Sequence, residues 1–193
     1  MYSIVTTPNK ILIEVAKPVT KFDKKLKDII HGMEKTLLAT KDPVGVGLAA
    51  PQVGLSLRIF QMKPTEKAKV TTYINPVIES YSYEEEVPVF TNSKRVEGKK
   101  PESSKNKLLE GCLSIPDIWG NVTRKKELTM SWQDTDGNKF KQKFSSFPAI
   151  IIQHEVDHLN GVLFTKHVMD QDEKLFKSHK NDSGEDEFEE ISI

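Results

Sequence analysis

The stretch QHEVDHLNG at 153–161 sets two histidines four residues apart, with a glutamate directly after the first. On a helix, positions i and i+4 lie one above the other, so His154 and His158 can each turn a ring nitrogen to one ion while Glu155 flanks it. This is the H-E-x-x-H pattern of metal-dependent hydrolases, in which the histidines ligate and the glutamate is general base towards a metal-bound water. A solvated helix face that carries two histidines is the plainer alternative. The preceding FPAIII at 147–152 weighs against it, because Pro148 suits a first helical turn and the isoleucines leave almost no polar face. Such a helix is expected to be buried, and buried histidines and acids need partners, several of which one ion supplies.

Two histidines are too few for a tight site, so a third ligand has to come from elsewhere. The only cysteine, Cys112, lies in EGCLSIP at 110–116. One cysteine makes no internal disulfide, which suits a reducing compartment and leaves the thiol free to ligate. Taken alone it reads as a small buried apolar residue. Joined to His154 and His158 it makes a Cys/His/His set with one position open, the arrangement of catalytic rather than structural sites.

A third stretch, GVGLAAPQVG at 45–54, satisfies G-x-G-x-x-A. A dinucleotide fingerprint should follow a strand and open a helix, whereas this one follows a helical pattern and meets Pro51 where a helix would begin. The remaining readings are a tight glycine loop without chemistry, or a loop whose glycines let the backbone approach a substrate while the Gln52 amide aims into the site.

In this order, GVGLAAPQVG, EGCLSIP and QHEVDHLNG resemble the signature of the peptide deformylase family. The resemblance extends to the N-terminal part (4–18 and 22–33), to Arg124 and to the strands before the motif helix, covering roughly residues 1–170. It implies an enzyme that removes the formyl group from the N-terminal methionine of new polypeptides, normally with Fe2+, for which Zn2+, Ni2+ or Co2+ can stand in. By the same resemblance, Cys112, His154 and His158 are the metal ligands and Glu155 the proton carrier. Gln52 and the backbone N–H of Leu113 stabilise the oxyanion. Val46, Gly47 and Glu110 belong to the substrate-binding set. Ile150 and Ile151 are candidates for a methionine pocket, with core packing the equal alternative. Glu110 and Arg124 are expected to pair and brace the cysteine strand, joined by Asp157; an ordinary surface ion pair is the other reading. Two rival functions stay open: a zinc endopeptidase, which would want a third His or Glu ligand, and a protein of the same fold that binds N-terminal peptides without turnover.

The elements that must position these residues are legible in part. Phe22, Leu26, Ile29, Ile30, Met33 and Leu37 recur at helical spacing, which predicts an amphipathic helix over 22–39. Residues 57–62 and 70–76 read as short strands, and 128–132 alternates before a turn at 134–138 and a second strand to 144, a hairpin leading into the motif helix. The expected fold class is α+β, mixed antiparallel strands packed around a central buried metal-binding helix.

The 193 residues, 37% hydrophobic and 29% charged with zero net charge, fit one globular domain with no general nucleic-acid field and no membrane-length apolar run. The start, MYSIV, has neither a signal-peptide nor a transit pattern, so bacterial-type cytoplasm is the expected location, a processed organellar form being the alternative. A monomer is expected. The catalytic domain is drawn at 1–176, with a surface insertion near 80–107, and 177–193 as an acidic tail, partly disordered or forming a short edge strand. Relatives in this family can dock on the ribosome through a basic C-terminal helix, which this tail does not resemble. Trp119, and Ser146 where glycine is more usual, are further departures bordering the substrate side.

Overall fold

The structure, a computed structural model, describes residues 1–86, 109–181, 184 and 186–191. Most of the expected insertion lies outside the described residues. The elements run α1 (Lys24–Ala39), β1 (Gly47–Ala49), β2 (Ile59–Met62), β3 (Thr71–Tyr81), β4 (Glu85–Glu86), β5 (Leu109–Cys112), β6 (Ile115–Asn121), β7 (Arg124–Lys125), β8 (Glu127–Gln133), β9 (Lys139–Ser145), α2 (Ser146–Leu159), α3 (Phe164–Asp170), β10 (Leu175–Lys180) and β11 (Asp186–Ile191). A five-stranded sheet is ordered β1-β2-β3-β8-β9, a four-stranded sheet β11-β10-β6-β5, and β4 pairs with β7. Every one of these pairings is antiparallel. The fold is α+β.

The larger sheet is covered on both faces, which is why all four residues of β2 are buried. Side chains alternate along a strand, so Ile59 meets Leu26, Ile30, Met33 and Leu37 of α1, while Phe60 and Met62 meet Ile151, Ile152, Val156 and Leu159 of α2. Burying each such side chain contributes about 1.5–3 kcal/mol. Asp23 caps α1, its carboxylate accepting from the Leu26 N–H at 3.0 Å. The smaller sheet carries Cys112 at the end of β5, and Cys112, Val122, Phe164, Val168 and Leu175 form a separate core between that sheet and α3.

One element differs from the sequence reading. β3 runs through Pro76 to Tyr81 instead of stopping there. Its pairing with β8 shifts between Ile74 and Val77, and Asn75 takes φ 50°, so the proline sits at a bulge where no ladder donor is required. The C-terminal segment forms a hairpin, β10 pairing with β6 and β11 with β10. The division drawn after residue 176 falls inside β10, which joins the acidic segment to the cysteine sheet by backbone hydrogen bonds.

Candidate active site

Helix α2 packs on the larger sheet and carries the histidine motif to the Cys112 end of the smaller one. It follows β9 directly, and Ser146 at the junction takes φ 55°, a left-handed turn that glycine would make at no steric cost. Gln153 anchors the helix to β7 twice, accepting from the Lys125 N–H at 3.0 Å and donating to the Lys125 carbonyl at 2.8 Å. Glu155 and His158 are buried, with exposures of 3% and 1%, so the solvated-face reading fails.

The structure brings Cys112, His154 and His158 together, with one donor atom from each inside a span of 4.8 Å. His158 Nε2 lies 3.2 Å from Cys112 Sγ. Gln52 reaches the same sulfur with its Nε2 at 3.4 Å while its Oε1 accepts from the Ala49 N–H at 2.8 Å, so the amide is fixed with its donor towards the site. The Ser114 N–H donates to the sulfur at 3.4 Å. Leu113 lies between Cys112 and Ser114, its side chain packed against the core under α1. Gly47 faces Glu155 so closely that a methyl group at 47 would run into Oε1 and the carboxyl carbon. Glycine is required there because the acid occupies the space. Val46 is partly buried against the α2 core, Ile151 is part of that core, and Ile150 is buried outside it.

The brace is more extensive than an ion pair. Arg124 Nη2 donates to Glu110 Oε1 at 2.6 Å and Arg124 Nε to Oε2 at 3.1 Å, while Oε1 also meets His154 Nδ1 at 2.6 Å. Both Glu110 oxygens are thus engaged by the chain itself. Arg124 Nη1 donates to Asp157 Oδ2 at 2.6 Å, and His167 Nε2 lies 2.8 Å from that oxygen. With Arg124 only 5% exposed, this is a buried network, and the surface-pair reading does not apply. Gln153, Phe164 and His167 were not singled out by sequence reasoning. Their partners stand far along the chain or across a loop, and no spacing rule connects them.

Burial alone would raise the Cys112 thiol, but the charge and hydrogen bonds of His158 and His154 outweigh it and bring it down to about 5. Burial lowers His154, yet Cys112 and Glu110 prevail and push it well above its ordinary value. Burial raises Glu155 to about 7 against the pull of His154 and His158. The pocket therefore favours a thiolate and a positive charge beside it. Glu155 Oε2 and His158 Nδ1 are buried with no hydrogen-bond partner. A sulfur and two imidazole nitrogens, enclosed and demanding positive charge, fit a divalent transition ion.

The family model for polypeptide deformylase matches residues 1–174. A peptide deformylase from Borreliella burgdorferi is 35% identical over 182 residues, 94% of this chain and 96% of that protein. The crystal structure of peptide deformylase from Thermotoga maritima shares 36% identity at a TM-score of 0.71, covering 86% of this chain and 97% of that one. A Plasmodium falciparum peptide deformylase in complex with an inhibitor shares 33% identity at a TM-score of 0.69, over 86% and 88% of the two chains. Since the match runs from the first residue to the threshold of β10 and the Borreliella burgdorferi and Thermotoga maritima proteins are spanned almost end to end, the chain belongs to the polypeptide deformylase family.

Proposed function

We infer that this chain is a metal-dependent hydrolase that removes the N-formyl group from the N-terminal methionine of newly made polypeptides, releasing formate. The observation that carries the reading is the convergence of Cys112, His154 and His158 beside the buried Glu155. An ion held by the three ligands would polarise the formyl oxygen and acidify a water, and Fe2+ is proposed, with Zn2+, Ni2+ or Co2+ as replacements. Glu155 takes the proton of the attacking water as its oxygen bonds to the formyl carbon. When the C–N bond breaks, Glu155 returns that proton to the leaving amine. Burial favours the protonated form of Glu155 and a cation beside it the charged form, opposed pulls that suit a carboxyl which takes up a proton and returns it. Gln52 Nε2 and the Leu113 N–H are assigned to the developing oxyanion. The fixed donor of Gln52 beside Cys112 supports this. Val46 and Gly47 would bind the substrate backbone, and Ile150 would contribute to the methionine pocket. Glu110, Arg124 and Asp157 brace His154, and the full engagement of Glu110 favours that role over substrate contact.

We propose that the enzyme acts beside translating ribosomes as a monomer, in bacterial-type cytoplasm or, as a processed form, in an organelle. The outer strand β11, six exposed residues reading DEFEEI, offers no basic helix for ribosomal RNA. Among the described residues no helix is long and apolar enough to cross a membrane. The test is incubation with formyl-Met-Ala-Ser, assaying formate, beside an internal peptide assayed for cleavage. Formate with an intact control peptide is expected. A cleaved internal peptide would indicate an endopeptidase, and binding without formate a non-catalytic binder.

A further inference from the structure

Helix α3 reaches His154 by two routes, one a direct ring contact and the other a chain of hydrogen bonds. Phe164 opens α3 and is 1% exposed; its ring stacks on His154 with centroids 6.3 Å apart and planes 27° from parallel. One turn on, His167 sets Nε2 2.8 Å from Asp157 Oδ2. From there the chain of contacts is continuous, through Arg124 Nη1 to Asp157 at 2.6 Å, Arg124 Nη2 to Glu110 at 2.6 Å, and Glu110 Oε1 to His154 Nδ1 at 2.6 Å. Residues three apart share a helix face, so FTKH at 164–167 brings both contacts to bear together.

We propose that His167 is a positioning residue for the metal centre, fixing the orientation and tautomer of His154 through Asp157, Arg124 and Glu110, while Phe164 blocks rotation of the same ring. The inference rests on His154 being a ligand. With Glu110 accepting the proton of Nδ1, the lone pair of Nε2 is left for the ion. Glu110 can hold that position only while Arg124 stays in place, and Arg124 is fixed by carboxylates at both ends. His167 is the second donor on the outer carboxylate. Without it Asp157 keeps Arg124 as its one side-chain hydrogen-bond partner among the described residues and gains freedom to turn, Arg124 follows, and the hold on His154 loosens. His167 and Asp157 side chains are 30% and 20% exposed, so water replaces the lost donor only in part.

Two substitutions separate this role from simple docking of α3. His167→Gln offers an amide N–H at about the reach of Nε2, whereas His167→Phe keeps ring bulk without a donor. Full-length proteins are loaded with Co2+, and three quantities are followed: the visible Co2+–thiolate spectrum, the rate of cobalt transfer to a chelator, and the unfolding midpoint of the metal-free chain. His167→Phe is expected to lose cobalt about tenfold faster, the low end for partners that touch a ligand directly, with an altered spectrum; His167→Gln is expected to restore both. Should His167→Phe fail to fold, Asp157→Asn breaks the next link and carries the same expectation. A His167→Phe protein with wild-type spectrum and cobalt loss, or one whose only change is a lower metal-free midpoint, would overturn the proposal. Tight cobalt retained by His154→Ala would instead overturn the ligand assignment, and this inference with it.

Discussion

At the scale of single residues, the site is a set of groups whose ordinary behaviour is changed by their neighbours. Cys112 is an apolar-sized side chain in a core with Val122, Phe164 and Val168, yet His158 and His154 hold it as thiolate. Its replacement by serine puts a neutral hydroxyl where a soft anionic ligand is needed. Cys112→Ser is expected to weaken metal binding by more than about 100-fold, beyond the range for partners outside the ligand set, as read by elemental analysis after dialysis against a chelator. Unchanged metal content would return Cys112 to a packing role. Glu110 and Asp157 are pulled the other way from Glu155: burial raises each, but Arg124 with His154, and His167 with Arg124, outweigh it and leave both below the usual carboxylate range. A carboxyl depressed in the folded state contributes stability above its unfolded value of about 4, lost as pH falls through the folded one. The urea midpoint of the metal-free protein is therefore expected to drop from about pH 5 downwards. Arg124→Gln should be about 3–5 kcal/mol less stable at neutral pH and show a shallower acid slope. An Arg124→Gln protein with the wild-type pH profile would show that the arginine does not set these carboxyls.

At the scale of elements, the turn into α2 is strained where the motif helix is aimed. Ser146 at φ 55° costs roughly 1–2 kcal/mol relative to a relaxed residue. Glycine relieves that cost but gives the unfolded chain more freedom, leaving a net gain of about 0.5–1 kcal/mol for Ser146→Gly. A Tm rise of about 1–4 °C by calorimetry is expected, and a fall would show that the serine side chain contributes something beyond its backbone conformation. The amphipathic α1, the β8–β9 hairpin and the buried α2 were legible in the sequence because each is a local pattern with a period. The sheet order, the covering of the larger sheet on both faces and the bulge at Pro76 were not, since they depend on pairings such as Ile74 with Gln133 that lie far apart along the chain. The same holds in the site. The i, i+4 histidines announce themselves, whereas His167 and Gln153 acquire meaning only once α3 and β7 are docked.

At the scale of the whole molecule, the end of β5 and helix α2 bring Cys112 together with His154 and His158, which follow it by about forty residues, in one enclosed centre that an ion would complete. If the working ion is Fe2+ on a thiolate, air should inactivate the enzyme, because the iron oxidises and Cys112 can pass to sulfenic and higher acids. Zn2+ has no redox chemistry of its own, so a zinc-loaded sample of the same batch should decay far more slowly, from a lower starting activity. Formate release followed during exposure to air makes the comparison, with mass spectrometry of Cys112. Equal decay with Cys112 unmodified would contradict iron as the working ion and leave the Cys/His/His grouping standing.

Glu155 is proposed to carry the proton at a metal site formed by Cys112, His154 and His158. Glu155→Gln tests it most directly, since the amide keeps the shape beside Gly47 but cannot accept the proton. Metal content and formate release from formyl-Met-Ala-Ser are measured on the same preparation. Wild-type metal content is expected, with formate release reduced by about 100-fold to 10,000-fold. Wild-type formate release by the metal-loaded Glu155→Gln protein would contradict that role for Glu155.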